Sequence, residues 1–158
     1  MQVKLRGVVL VVVTAALAAG CGGGSSSPRL TKAQYEAKIQ ADGKAVQDAV
    51  NKISSGFSAI KSIAKEVAVA EVEAKKAADD LGAANPPKEV AADNDKLVIA
   101  MRTIDVQLVK LAKAAKAGDA VAAQQAVNGL QLSPEIKAGQ AAIDDMKTKG
   151  YKVGVLGK

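Results

Sequence analysis

The chain has 158 residues and a formal net charge of +6, and 49% of its residues are hydrophobic although it has only two Tyr, one Phe and no Trp or His. This length fits one domain of modest size. The absence of His removes the commonest general acid/base and the commonest metal ligand. The single Cys excludes an intrachain disulfide framework and a four-thiolate zinc site. The 32 Ala residues favour helix over strand, because Ala has the highest helix propensity.

Residues 1–20 have the pattern of an export signal. Lys4 and Arg6 form a positively charged start, and an uncharged apolar run of twelve residues follows from Val8 to Ala19. Such a run fits a signal peptide and is shorter than the ~20 residues that a helix needs to span a bilayer. An uncleaved membrane anchor is the alternative, and the Gly/Ser-rich stretch after residue 20 weighs against it.

The only cysteine lies in a pattern typical of bacterial lipoproteins. The segment Leu17-Ala18-Ala19-Gly20-Cys21 resembles their lipobox, although Ala18 stands where the family usually has Leu. The resemblance covers about the first 28 residues. It implies cleavage between Gly20 and Cys21, attachment of a diacylglyceryl group to the Cys21 thiol and often acylation of the new amine. Two or three acyl chains, such as palmitate, hold a protein stably at a membrane, at about 0.8 kcal/mol per buried CH₂.

Domain boundaries follow from this start. Residues 21–29 form the lipidated Cys and a Gly/Ser tether, and the seven residues from Gly22 to Pro28 reach on the order of 15 Å as a flexible coil. Residues 30–158 are expected to fold. Loss of Lys4 and Arg6 with the signal lowers the net charge from +6 to +4.

Two helices are predicted in the first half of this domain. Thr31 is a candidate N-cap for the first, and apolar residues recur at helical spacing at Tyr35, Ile39, Val46, Ala49 or Val50, and Ile53. Ser54-Ser55-Gly56 interrupts or kinks this helix. The second has an apolar stripe at Phe57, Ile60, Ala64, Val67, Ala74, Ala78 and Leu81. Gly82 and Asn85-Pro86-Pro87 are expected to end it.

The third predicted helix has the most regular pattern. Its apolar seam repeats every three or four residues at Val90, Asn94, Leu97, Met101, Ile104, Leu108, Leu111 and Ala115. Gly118 is expected to close it. Asp119 is a candidate cap for a fourth helix that extends to about Leu130, and Ser133-Pro134-Glu135 has the features of a new helix start.

The last helix is predicted to carry Ile136, Ile143 and Met146 and to stop at Gly150. After it, apolar residues alternate with others from Tyr151 to Val155, which indicates a short extended tail with Tyr151 folded back on the bundle. The fold prediction is therefore all-α, an up-and-down helical bundle of four to five helices. The half from Pro86 to Tyr151 is similar to helical domains of small, uncharacterised bacterial lipoproteins, which supports the fold and implies no activity.

The sequence has few groups suited to catalysis, so we predict that the protein is not an enzyme and has no cofactor or metal. In Asp93-Asn94-Asp95, the calcium-loop pattern fails because Val98 and Ile104 stand where Gly and Glu are required, and both acids are expected to be exposed. The adjacent acids Asp79-Asp80 and Asp144-Asp145 point to different sides of their helices and are interpreted as solvated surface.

Lysines offer a candidate contact surface. Two groups are Lys110, Lys113 and Lys116 in the third helix and Lys147, Lys149 and Lys152 near the C-terminus. Such groups are able to meet anionic lipid headgroups or acidic cell-wall polymers, and they also serve simply to complement helix dipoles. Nucleic acid is disfavoured, because the chain lacks aromatic stacking platforms and is expected to be exported.

The leading functional hypothesis is a non-enzymatic, lipid-anchored module on the extracytoplasmic face of a membrane of the bacterial cell envelope. It would act in interaction or structural support, held by the lipid on Cys21 and bound to an unknown envelope partner. The alternatives are a small-molecule or lipid-binding bundle with a cavity beside Asn94 and Met101, and an electrostatic module that binds membrane or cell wall.

Overall fold

A computed structural model describes residues 28–55 and 60–154. It contains five α-helices in these ranges: α1 (Lys32–Ser55), α2 (Ala64–Gly82), α3 (Ala91–Ala117), α4 (Ala120–Leu132) and α5 (Pro134–Thr148). Short 3-10 turns at Ile60–Ile63 and Lys88–Val90 lead into α2 and α3. Since the described ranges contain no strand, the predicted all-α class is confirmed.

Polar side-chain caps begin three of the five α-helices where the sequence predicts them. Thr31 Oγ1 accepts from the Gln34 N–H while the Gln34 side chain accepts from the Thr31 N–H, so the two residues form a capping box. Asp119 and Ser133 cap α4 and α5 with their side-chain oxygens. Gly118 ends α3 with φ of 73°, a conformation that other residues rarely adopt.

The first three helices run up, down and up. The Leu30 N–H donates to the Asn85 carbonyl at 2.8 Å, so the start of α1 lies beside the end of α2. Lys61, just before α2, approaches Gly118 just after α3, so these two helices are also antiparallel. Sequential antiparallel neighbours of this kind define an up-and-down bundle.

Helices α4 and α5 together form the fourth leg, which returns along α3. Their 13 and 15 residues match the 27 residues of α3 in length, and Ser133-Pro134 breaks the leg in the middle. Gly139 makes the closest approach, because a Cβ there would lie 2.5 Å from the Ala100 Cβ. The four-leg arrangement explains why both four and five helices are valid descriptions of this fold.

The bundle therefore has two distinct ends. The tether end holds the start of α1, the α2–α3 loop and the residues after α5, so the N-terminal segment joins the bundle there. The distal end holds the α1–α2 connection and the α3–α4 turn at Gly118. Arg29 was assigned above to the tether, but it contacts the folded bundle, because its Nη1 donates a hydrogen bond to the Pro86 carbonyl at 2.8 Å.

Buried residues form two cores along the bundle. The tether-end core contains Tyr35, Ile39, Val46, Ala77, Ala78, Leu81, Val90, Leu97, Val98, Met101, Ala142, Ile143, Met146, Tyr151 and Val153. The distal core contains Ala49, Ile63, Val67, Ala70, Ala74, Leu108, Leu111, Ala112, Ala114, Ala115, Ala123 and Ala126. The predicted seams supply most of the large members of both cores, but Ile63, Val98 and Val153 are buried without having been predicted. The predicted seam residues Ile53, Ile104 and Ile136 are only partly buried.

Two details differ from the sequence prediction. The second helical stretch begins with the 3-10 turn at Ile60–Ile63 and becomes α-helical only at Ala64, while the predicted stripe residue Phe57 lies outside the described residues. Val50 is exposed and Ala49 is buried, which settles the alternative in α1. Within the described ranges, no helix has the length and apolar character that crossing a membrane requires.

Candidate functional site

Asn94 joins three helices at the tether end. The Tyr35 hydroxyl donates to Asn94 Oδ1 at 2.9 Å, and Asn94 Nδ2 donates to the Leu81 carbonyl at 3.2 Å. The residue is 4% exposed. A buried Asn with both ends paired favours one register of the packed helices, because other registers leave polar atoms without partners.

Asp93 is also buried, which corrects the expectation that it is exposed. Its side chain is 3% exposed, and its Oδ2 lies 2.7 Å from Lys149 Nζ. Lys149 Nζ also contacts Asp145 Oδ2 at 2.8 Å and donates to the Glu89 carbonyl at 2.9 Å. Hydrogen bonds to Asp145 and Asp93 raise the pKa of Lys149 to about 12. The signal for burial was present, because Asp93 lies three residues after Val90 and four before Leu97.

Tyr151 folds back on the bundle as predicted. Its ring packs edge-on against Tyr35 with 6.2 Å between centroids, and Lys32 Nζ lies 4.6 Å from its centroid on one face. The hydroxyl donates to Glu89 Oε1 at 2.6 Å. Burial, then this bond, raises the pKa of Tyr151 to about 12, and the same bond lowers the pKa of Glu89.

The six candidate lysines do not form one surface. Lys147, Lys149 and Lys152 lie at the tether end, whereas Lys110, Lys113 and Lys116 lie at the distal end of α3. The 20 residues between Asp93, which binds Lys149, and Lys113 correspond to roughly 30 Å of helix. The two lysine groups therefore lie at opposite ends of the bundle.

The two lysine groups also differ in their partners. Lys147 pairs with Asp144 at 3.1 Å, and Lys149 is engaged as described above. The backbone N–H of Lys152 donates to Glu36 Oε1 at 2.9 Å. Lys110, Lys113 and Lys116 are exposed and make no ion pair with any described residue. Lys110 and Lys113 border an open groove of about 540 Å³ between α3 and α4, which Gln107, Asp119 and Gln125 also line.

One side of the bundle is open. Between α1 and the α4–α5 leg, apolar side chains of α3 form the floor of two cavities. The cavity nearer the tether end, of about 240 Å³, is lined by Ile39, Leu81, Leu97, Met101, Ile143, the polar rim of α1 and Gly154. The second, of about 390 Å³, is lined by Val46, Val50, Ala100, Ile104, Leu108, Leu130 and Ile136, with Gln47, Gln131 and Gln140 among its polar residues. Together they form the open seam.

Of the two residues that the small-molecule alternative places beside a cavity, only Met101 lines one. Met101 lines the 240 Å³ cavity, but Asn94 does not, because both of its polar ends are turned to Tyr35 and Leu81. Sequence patterns predicted the apolar floor and gave no signal that α1 and the α4–α5 leg leave this side open.

The acidic residues considered for chemistry are mostly paired with lysines. Asp79 and Asp80 accept from Lys75 and Lys76 at 2.7 and 2.8 Å. Asp144 and Asp145 likewise pair with lysines on their own side of the bundle. Within residues 28–55 and 60–154, no three His, Cys, Asp or Glu side chains are grouped to hold a metal ion.

The lipidation residues Gly20 and Cys21 lie outside the described residues, so the lipobox remains a prediction from sequence. No protein-family model matches the chain, and the curated proteins and solved structures compared with it include no significant match. Functional proposals therefore depend on the residues and geometry described above.

Proposed function

We propose that the chain is a lipid-anchored, non-enzymatic interaction module of the bacterial envelope, and that it binds an acidic cell-wall polymer through its distal end. The observation that carries the proposal is the separation of the two lysine groups. Of the C-terminal lysines at the tether end, Lys147 and Lys149 pair with acids of the same bundle. The opposite end presents Lys110, Lys113 and Lys116 without ion-pair partners among the described residues.

The geometry favours a partner away from the anchoring membrane. Residue Arg29 is fixed at the tether end, and a tether of seven residues reaches on the order of 15 Å. Helix α3 has 27 residues and is therefore roughly 40 Å long. With Cys21 in the membrane, the distal lysines would stand well beyond the headgroups and closer to the wall.

The chemistry of the distal end suits a polyanion. An exposed lysine close to an anionic surface contributes about 1 kcal/mol, and this contribution falls with ionic strength because salt screens exposed charges. Lys110 and Lys113 share the open groove with Gln107 and Gln125, whose amides are able to donate hydrogen bonds to phosphate or carboxylate oxygens. This combination requires no catalytic group.

The anchor is tested by changing its cysteine. Cys21→Ala is expected to abolish incorporation of labelled fatty acid and to leave the signal uncleaved. Cys21→Ser serves as a second variant of similar size. Labelling that persists in both variants would contradict the lipoprotein assignment.

The distal surface is tested by removing charge at two matched places. The triple variant K110Q/K113Q/K116Q is expected to lose roughly a hundredfold in affinity for a phosphate-rich wall polymer at low salt, since three contacts of ~1 kcal/mol are removed. The control K44Q/K75Q/K76Q has the same net charge but loses lysines that pair with Asp48, Asp79 and Asp80. Equal loss in both variants would mean that net charge alone drives binding.

The larger cavity of the open seam supports a second candidate function, binding of a small apolar ligand. Its volume of about 390 Å³ lies in the range of ligand sites, and its apolar walls carry glutamines at the rim. Ile104→Gln is expected to abolish binding of a fluorescent fatty acid if this function is correct. Unchanged binding in the Ile104→Gln variant would contradict this function. The same holds if the native chain binds no fatty acid.

A further inference from the structure

One apolar floor runs beneath both cavities of the open seam. The 240 Å³ cavity is lined by Leu97 and Met101 of α3, and the 390 Å³ cavity is lined by Ile104 and Leu108 of the same helix. Gln47 of α1 lines both cavities, so the two meet along the helices. The open seam is therefore a single trough parallel to α3.

The length and volume of this trough set the size of its occupant. Leu97 and Leu108 are eleven residues apart in one helix, which corresponds to roughly 16 Å. With C–C bonds of about 1.5 Å, an extended hydrocarbon chain advances about 1.3 Å per carbon, so about twelve carbons span the floor. A helix is about 10 Å across and would need roughly 1,200 Å³ over this length, whereas the cavities hold about 240 and 390 Å³. The trough therefore fits a narrow chain better than an inserted helix.

The polar groups at the edges of the trough differ between the two cavities. Lys137 lines the larger cavity together with Gln131 and Gln140, and it makes no ion pair with any described residue. In the smaller cavity, Lys44 is already paired with Asp48, one helical turn further along α1. An unpaired cation beside an apolar trough favours a ligand that joins an anionic head to a hydrocarbon chain, because hydrogen bonds between ionised groups are strong.

We propose that the open seam binds a single-chain anionic amphiphile, such as a fatty carboxylate, with its head beside Lys137 and its chain running from the larger cavity into the smaller one. Helical side chains lean toward the N-terminus of their helix, so Lys137 leans toward the break before Pro134, at the distal side of the larger cavity. The methyl end then lies against Leu97 and Ile143. The inference rests on the second candidate function, to which it adds the class of ligand and its direction.

The direction is tested by photolabelling the full chain, purified from envelopes and held in nanodiscs of zwitterionic lipid. Two dodecanoate probes carry a diazirine, one near the carboxylate and the other near the methyl end. The first is expected to label α5 around Lys137, and the second is expected to label α3 between Leu97 and Met101.

The labelling pattern separates failure of the inference from failure of the function on which it rests. The reverse pattern, or the same labelled residues for both probes, would overturn the inference. If Ile104→Gln abolished the labelling in either case, the second candidate function would still stand. Absence of any labelling in the open seam would overturn both.

The length of the trough is tested by competition against the methyl-end probe at equal free aqueous concentrations. Saturated carboxylates from about six carbons upward are expected to gain roughly fourfold in affinity per added methylene, because each one buries more apolar surface. The gain is expected to stop between about ten and twelve carbons, where the floor ends. Affinity that keeps rising past the length of the trough would overturn the inference.

The head group is tested with two matched lysine variants. Lys137→Gln is expected to weaken dodecanoate by about two- to fivefold and to leave dodecanol unchanged, because an exposed ion pair contributes only modestly. Lys44→Gln, at the edge of the smaller cavity, should change neither ligand. Equal weakening of the acid and the alcohol by Lys137→Gln, or a larger effect of Lys44→Gln on the acid, would overturn the placement of the head.

Discussion

The tether-end and distal cores use different side chains to hold the same four legs together. Three of the fifteen buried residues in the tether-end core are Ala, compared with eight of the twelve in the distal core. Because stabilisation scales with apolar area at about 25 cal/mol per Å², large side chains contribute more per position than Ala does. The tether end also contains the paired groups of Asn94, Asp93 and Tyr151.

This difference separates two ways of building a bundle. Alanines allow the distal helices to approach closely, while most of the burial and polar specificity is concentrated at the end that the tether joins. Parts of a fold with less buried apolar surface open locally at lower free energy. We therefore expect the distal half to exchange its amide hydrogens sooner than the tether half.

The largest expected effect comes from truncating the tether-end core. Leu97→Ala removes a side chain that is 1% exposed and is expected to lower the free energy of unfolding by about 2–5 kcal/mol. Ile99→Ala, on the exposed side of the same helix, should change it by less than about 0.5 kcal/mol. Urea denaturation followed by circular dichroism measures both. If Leu97→Ala lowered the free energy of unfolding only slightly, large side chains in the tether-end core would not contribute more than the alanines of the distal core.

The distal core should be sensitive to added volume instead. Ala74 is fully buried among other alanines, so Ala74→Leu is expected to cost about 1–3 kcal/mol by forcing α2 away from its neighbours. Val72→Leu, at a position 62% exposed, is the control. If Ala74→Leu were neutral in the same denaturation experiment, the distal core would be loosely packed rather than close-packed.

Alkaline pH should weaken the tether end first. Since the pKa values of Tyr151 and Lys149 are raised to about 12, the folded state holds their protons more tightly than the unfolded state. Their contribution is present below pH ~10 and is lost as the pH rises toward 12. Both tyrosines of the chain lie at this end, so tyrosinate absorbance reports on it alone. Tyr151→Phe should reduce the loss of the helical circular dichroism signal between pH ~10 and 12. If the pH profile were unchanged in this variant, Tyr151 would not contribute to the loss.

The smallest expected effect is a gain in stability at Asp42. Burial raises the pKa of this carboxyl, its Oδ2 has no hydrogen-bond partner, and Lys38 Nζ is 3.7 Å away. The folded state thus favours the protonated form, and stability is lost as the pH rises through the folded pKa. Asp42→Asn is expected to raise Tm by about 1–3 °C at pH 7, with the difference vanishing in acid. Asp48→Asn, at an exposed site, should show no such gain.

Local chemistry made most of the fold predictable. Asp119, Ser133-Pro134 and Gly118 set helix ends through caps and φ preferences that are readable within a few residues, and the seam of α3 follows from its spacing. Those signals act over one turn of helix, so they can be interpreted from the sequence without the tertiary arrangement.

The features that distinguish the two ends were not predictable in this way. Asp93 and Lys149 are 56 residues apart, and only the antiparallel return of α5 brings them within 2.7 Å. The same return places Lys147 and Lys110 at opposite ends of the bundle, which the spacing of these residues in the sequence does not indicate. The open seam likewise depends on how far α1 and the α4–α5 leg stand apart, which no local pattern encodes.

The bonds of Arg29 and Leu30 to the loop between α2 and α3 have a mechanical consequence. A force applied between the N-terminal segment and the distal end would enter the bundle at the starts of α1 and α3 and at the end of α2, and it would act along the helices because they run from one end to the other. Helices loaded in this direction must slide past one another, so many side-chain contacts resist at once. A partner that pulls on the distal end would therefore load the bundle in shear rather than peel it open turn by turn.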